Sequence, residues 1–580
     1  MKSKKLFSLL LILCMILQLY GCSSKPKHIY TGADFDAYTD SLFLNEVQSD
    51  SVTLNYTLAN PERYGIKDFT PTFGSYGQKD IKESHKTAKK YIKELQQFDY
   101  NTLSTEQKKT YDILLQYMKD RCYSNKLILY NEVLSPTTGL QAQLPILLAE
   151  FHFHDKQDIE DYIVLLTKMK DYFNQIITFQ KAKSKAGLFM SDSSADAVIS
   201  QCNAFIEKKD KNYLITLFDN KIDSYTALSE TEKQTYKIQN KEAVLSSVIP
   251  AYELLIKELT ALKGTGKNSG GLCNLKRGKE YYKYLVKTNT GSDRSMKEIN
   301  KLLDQTISDC MLKIAQIASS DKDIQNKLET YYYPLTEPIE ILTYLQDAIK
   351  NDFPCLDDTN CEIKYVDSSL EEYLSPAFYL TPQIDNYFDN CIYINRNKKY
   401  DLSEIFTTVA HEGYPGHLYQ NCYYNQQNPS LIRHILNFEG YSEGWATYVE
   451  MYSYGISGLD EAVRNVLVQN QIATLCIYAK CDLNINYYGW DLDATKEYLK
   501  GFGFKDSKIS NTIFNSMVQE PCNYLKYTLG YLEFMALRNK AESALGNKFS
   551  AIEFHKFLLD MGPCQFSVLD KYMNEWIKTQ

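Results

Sequence analysis

DLSEIFTTVAHEGYPGHLYQ, residues 401–420, is the stretch on which the reading of this chain turns. Asp401 and Glu404 have the spacing of an N-cap and its capping box, and Leu402, Ile405, Phe406 and Val409 follow as an apolar stripe. A helix is therefore predicted up to His411 and Glu412. It cannot run on unbroken, because Pro415 lacks an N–H, its ring would clash with the carbonyl of His411, and Tyr414 before it is pushed out of helical geometry. The break matters for two histidines. On a regular helix at ~100° per residue, side chains four apart are offset by ~40°, whereas His411 and His417, six apart, would stand ~120° apart. Gly416 tolerates positive φ, so a tight Pro-Gly excursion is expected to turn the chain before a second helix starts near His417. Across such a loop the two imidazoles can converge.

Converging imidazoles suggest a metal, and a metal needs a third ligand. Zinc in hydrolases usually takes three protein ligands, often two histidines and a glutamate, and leaves a fourth position for water. Downstream, NFEGYSEGWATYVEMY carries Glu439, Glu443 and Glu450, spaced four and seven apart and so on one face of a helix. Spacing alone leaves open which of them is the ligand, and the other two would then hold histidine N–H groups. Glu412, beside His411 and not needed as a ligand, suits the role of general base. Of the eight histidines, His152 and His154 in EFHFHDK read as a surface loop, and His28, His85, His434 and His555 have no constellation around them.

The amino terminus reads MKSKKLFSLLLILCMILQLYGCSSKPK. Lysines precede an apolar run too short to span a bilayer comfortably, which is the pattern of a signal peptide over residues 1–21. Leu19-Tyr20-Gly21-Cys22 resembles a bacterial lipobox, with cleavage before Cys22 and lipid on its thiol, and residues 22–45 are expected as the tether. The protein is thus expected at the cell membrane, lipid-anchored on its extracytoplasmic face, and nothing later reads as a membrane span. A formal net charge of −8 argues against nucleic acid as a partner, and no Gly-rich loop has the order of a phosphate-binding motif. The fourteen cysteines are scattered, without C-x-x-C, so no disulfide and no metal role is assigned to them.

Most of the chain has helical period. Residues 91–100, 159–183 and 235–264 place apolar residues at three-and-four spacing, with Pro250 marking a kink and Gly264 a stop. A Gly-rich stretch beginning at Lys263 gives a soft boundary between an N-terminal helical region, 46–265, and a catalytic region, 266–580. Strand signals are confined to CEIKYVD (361–367) and NCIYINR (390–396), so a small sheet is expected beside the His411 helix. An edge strand there could pair with an extended peptide; a purely structural hairpin reads equally well.

HEGYPGHLYQ followed by YSEGWATYVE resembles the H-E-x-x-P-G-H…E-G-W-A pattern of the bacterial DUF885 proteins, and SPTTGLQAQLPILLAE, RGKEYYKYLVK, PCNYLKYTLGYLEFMALR and FHKFLLDMG are similar to further blocks of that family. The resemblance implies a mostly helical, zincin-like fold with a small β-sheet beside the active-site helix and a deep channel between helical halves. It implies a gluzincin-like zinc peptidase in which His411, His417 and Glu443 bind the metal, Glu412 is the base and Tyr527 donates a hydrogen bond to the oxyanion. Glu439 and Glu450 are then the outer acceptors. Asn523 stands where the family stretch normally has Gln. The reading is of a lipid-anchored zinc peptidase acting on oligopeptides. The alternatives are a peptide-binding lipoprotein without activity and a zinc hydrolase of a non-peptide amide or ester.

Overall fold

The computed structural model describes residues 30–580 apart from 269, 358, 369, 370, 372 and 373. The signal peptide and Cys22 therefore lie outside the described residues. The rest is mostly helical with one small sheet, as expected. The stretch assigned to the tether is corrected in its second half: a helix, Gly32–Val47, opens on a capping box between Thr31 and Asp34, and Phe35, Leu42, Phe43 and Val47 bury one side of it. Their spacing is helical, so the ordered body begins well before residue 46.

Three large cores and a small cluster of Ile324, Val463 and Val466 organise the described residues. The largest takes residues between 272 and 573 and borrows Ile113, Leu127 and Tyr130 from the N-terminal region. A second is built from residues between 73 and 259 with Val366, and a third from residues between 35 and 118 with Ile432. The helix expected over 159–183 is two, Lys156–Thr167 and Met169–Lys185, meeting at Lys168. Both bury apolar residues in one core, so the apolar period continues through the bend and does not record it. The helix expected to 100 ends at Leu95, because Asp99 caps a separate short turn, Tyr100–Thr102. Pro250 stands in the first turn of Ile249–Leu262, just after a π-helical turn at Val244–Val248, and Gly264 takes φ +78° beyond its end.

The sheet has three strands: β1 (Asn360–Tyr365), β2 (Ala377–Leu380) and β3 (Asp389–Ile394), in the order β1-β3-β2. β1 and β3 run parallel, so they do not form a hairpin. β2, unforeseen in the sequence, is an antiparallel edge strand whose Tyr379 lies opposite Ile392. The helix that ends at Glu412 packs against it. Among the described residues no helix is long and apolar enough to cross a membrane, and all twelve described cysteines are free.

Candidate metal centre

Four helices build the site: the His411 helix (Phe406–Glu412), the His417 helix (His417–Gln426), the Glu443 helix (Glu439–Ser453) and the Tyr527 helix (Asn523–Leu545). The first is shorter than expected. Asp401 caps a 3-10 turn over Leu402–Glu404 instead of the helix proper, and Glu404 accepts from the Tyr331 hydroxyl rather than closing a capping box. Ile405, Phe406 and Val409 are buried as the stripe required.

The chain does break between the histidines. Gly413 and Gly416 are non-helical and the new helix begins at His417. The expected reason for Gly416 is corrected: its φ is −78°, not positive, but a Cβ there would lie 1.8 Å from the carbonyl oxygen of His411. Glycine is required because backbone meets backbone. Trp445, fully buried, donates from its indole N–H to the Pro415 carbonyl at 2.9 Å and so ties the loop to the Glu443 helix.

The result brings three ligand atoms together. Glu443 Oε2 lies 3.5 Å from His417 Nε2 and 3.7 Å from His411 Nε2, and the imidazole centroids are 4.9 Å apart at 78°. Donors at ~2.0–2.2 Å in a tetrahedral zinc shell are ~3.3–3.5 Å from one another, so this set fits zinc with little adjustment. Among the described residues it is the one group of three or more His, Cys, Asp and Glu side chains so placed. His411 Nδ1 is 3.0 Å from Glu450 Oε2, which accepts its proton and leaves Nε2 free to ligate. Burial disfavours charge on His411, but Glu443, Glu450 and Glu412 outweigh it and hold the imidazole well above its ordinary range. Burial opposes charge on Glu443 too, yet the two histidines hold it far below the usual carboxylate range. Each thus stabilises the charge of the other, and zinc would take the place of the histidine protons.

Glu450 is where an outer acceptor was expected; Glu439 is not. Its carboxylate, partly exposed, pairs with Lys526 at 3.3 Å and touches neither histidine. It shares the face of Glu443 but sits one turn nearer the helix start, while His411 lies toward the end where Glu450 is. Glu412 stands at the end of its helix, with one carboxylate oxygen accepting the Tyr379 N–H of β2 at 2.9 Å. That partner was not foreseen, although the prolines on either side of AFYL, 376 and 382, mark a bounded β-rich run. Tyr527 faces the same site: burial, then the charges of Glu443, Glu412 and Glu439, raise its hydroxyl far above the usual phenol range. The Tyr527 helix reaches the Glu443 helix where Gly444 meets Gly530, a Cβ on Gly444 falling 2.5 Å from the carbonyl carbon of Gly530.

Of the other described histidines, His434 lines the cavity that His417 and Glu443 also border, and the rest have partners or surroundings of their own. His85 bonds Asn125, His555 bonds Tyr448, and His154 bonds Gln383. His152, read as part of a surface loop, is instead half-buried, and burial lowers it to about 4.

The model of a family described as bacterial protein of unknown function (DUF885) matches residues 62–573. No curated protein matches the sequence. Two solved structures, each described as a "putative lipoprotein", share the fold. One, from Colwellia psychrerythraea, has a TM-score of 0.81 at 18% identity and covers 95% of this chain and 100% of its own. The other, from Shewanella oneidensis, has a TM-score of 0.63 at 14% identity, covering 93% and 99%. A third, a "putative oligoendopeptidase F" from Bacillus anthracis, superposes at a TM-score of only 0.29, with 11% identity over 89% and 98%.

Proposed function

We propose that this chain, which belongs to the DUF885 family of bacterial proteins, is a zinc-dependent peptidase that hydrolyses oligopeptides, exported and anchored by lipid on Cys22 at the outer face of the cell membrane. The observation that supports it most is the single Glu443 oxygen standing at zinc-ligand spacing from both histidine Nε2 atoms. His411, His417 and Glu443 would hold the ion. Zinc bound there supplies the Lewis acidity that makes water nucleophilic at neutral pH and polarises the scissile carbonyl. Glu412 takes the proton of the attacking water and passes it to the leaving amine; the Tyr379 N–H fixes one of its oxygens and leaves the other for that task. Tyr527, kept protonated by burial and by its acidic neighbours, donates to the oxyanion. β2 is an edge strand of the sheet, along which an extended peptide can lie.

Metal analysis and peptide turnover test the reading together. Glu412→Gln should keep its zinc and its Tm but lose turnover, and Glu443→Ala should come out largely free of zinc. Glu450→Ala should bind zinc ~10–100-fold more weakly, as expected on losing the acceptor of a ligand N–H. Glu439→Ala, whose partner is Lys526, should bind it normally. Parental turnover in Glu412→Gln, or full zinc in Glu443→Ala, would refute the proposal.

A further inference from the structure

A cavity of about 460 Å³ opens beside His417 and Glu443, and Gln420, Tyr424 and Arg433 line its wall. On the His417 helix, Gln420 and Tyr424 follow the histidine by three and seven residues, within ~60° and ~20° of its direction, so one helix face runs from the metal centre into the cavity. All three side chains are more than nine-tenths buried: Arg433 is 5%, Gln420 6% and Tyr424 7% exposed. Each nevertheless carries a fully enclosed polar atom with no hydrogen-bond partner in the chain, namely Arg433 Nε, Gln420 Nε2 and the Tyr424 hydroxyl. Every one of these is a donor.

Arg433 makes the case strongest. Its guanidinium is steadied by Nη2 donating to the carbonyls of Met561 at 2.8 Å and Pro563 at 3.2 Å, at the end of the helix Ala551–Met561. Those bonds use one nitrogen and leave Nε unspent. Among the described residues no carboxylate pairs with it, and the two acids that also line the cavity are committed elsewhere: Glu439 to Lys526, Glu443 to the histidines. A buried cation with a spare donor and no countercharge is costly to keep, and an entering anion would relieve that cost.

Resting on the peptidase reading, we infer that this cavity receives a carboxylate of the peptide substrate, held by Arg433, Tyr424 and Gln420. The face from His417 to Tyr424 rises ~10 Å, about the span of two to three extended residues. The free C-terminus of a short peptide would therefore sit there with the scissile bond at the metal; an acidic side chain at that distance would offer the same chemistry.

Binding, rather than turnover, tests this. The full-length Glu412→Gln protein, with and without added zinc, is titrated calorimetrically with acetyl-Gly-Gly-Gly as free acid and as amide, and with amidated acetyl-Gly-Gly-Glu against its Gln twin. The free acid should bind at least ~10-fold more tightly than its amide, and that ratio should fall in Tyr424→Phe and again in Arg433→Lys. A preference confined to the Glu peptide supports the site with a side chain as its ligand. Equal affinity within both pairs, or a preference that Tyr424→Phe and Arg433→Lys leave intact, overturns the inference. Because no bond is cut, absence of peptidase activity would leave the acid-to-amide comparison readable and would count against the functional proposal alone.

Discussion

The helices before residue 265 and the helices that carry the site are held by different means. In the first region four helices close their own N-terminal ends: Thr31 with Asp34, Ser104 with Gln107, Asp155 with Asp158 and Ser229 with Glu232 are all complete capping boxes. None of the His411, His417, Glu443 and Tyr527 helices has a side-chain cap. Their ends and orientations come from other elements: the Trp445 indole on the Pro415 carbonyl, the Tyr379 N–H on Glu412, backbone against backbone at Gly444 and Gly530. Local chemistry makes helices, and distant contacts aim the ones that must converge on a point.

The largest expected effect tests this directly. Gly444→Ala would put a methyl 2.5 Å from the carbonyl carbon of Gly530 and 2.6 Å from its Cα, and backbone cannot rotate aside as a side chain can. The two helices must separate, at a cost of ~3 kcal/mol or more. Separation also carries Tyr527 away from Glu443, so Tm and catalytic rate should fall together. A variant with an unchanged Tm and full activity would show that the glycine contact does not set the site.

The same division explains what could be read from the sequence. Helical period, cap spacing and the Pro-Gly break are local signals, and they gave the mostly helical class, the strands β1 and β3 and the separation of His411 from His417 by a loop. Where a role depended on a distant partner, local signals failed. Glu439, Glu443 and Glu450 look alike by spacing, and only the positions of Lys526 and His411 separate them. Gly416 was assigned to handedness when the carbonyl of His411 is its actual constraint. β2 is four residues long, too short for alternation to announce it, yet it supplies the N–H that orients Glu412.

A smaller effect sharpens the comparison at the start of the Tyr527 helix. Here the anchor is Asp482, forty residues away, whose carboxylate accepts the Cys522 N–H at 2.8 and 3.0 Å and the Tyr282 hydroxyl at 2.6 Å. Burial raises Asp482 to about 7, against the hydrogen bonds from Tyr282, Cys522 and Asn486 that favour its charged form. Its pKa in the unfolded chain is near 3.9. The folded protein therefore holds a proton that the unfolded chain has released between those values, and stability from this group is full below about pH 4 and lost as pH rises through about 7. At ~1.4 kcal/mol per unit, ~4 kcal/mol is the ceiling. Asp482→Asn should lack that slope, so urea melts from pH 4.5 to 8 should show the wild type losing ground to the variant as pH rises. A difference that stays constant with pH would mean Asp482 is ionised throughout.

The smallest effect belongs to the self-closed region. In Ser229→Ala the helix Glu230–Ala243 loses the hydroxyl that accepts the Glu232 N–H and donates to the Glu232 carboxylate, while Glu232 keeps its ion pair with Lys156. Loss of such a cap costs ~1 kcal/mol. Its atoms touch none of the four site helices, so zinc affinity should be unchanged and only stability should move, the reverse of what Glu450→Ala should do. Combined with Gly444→Ala, its cost should add within ~0.5 kcal/mol, since the two sites share no partner. Lower zinc affinity in Ser229→Ala, or a double variant far from additive, would show that the N-terminal helices help to aim the metal ligands, and the division between the two regions would fail.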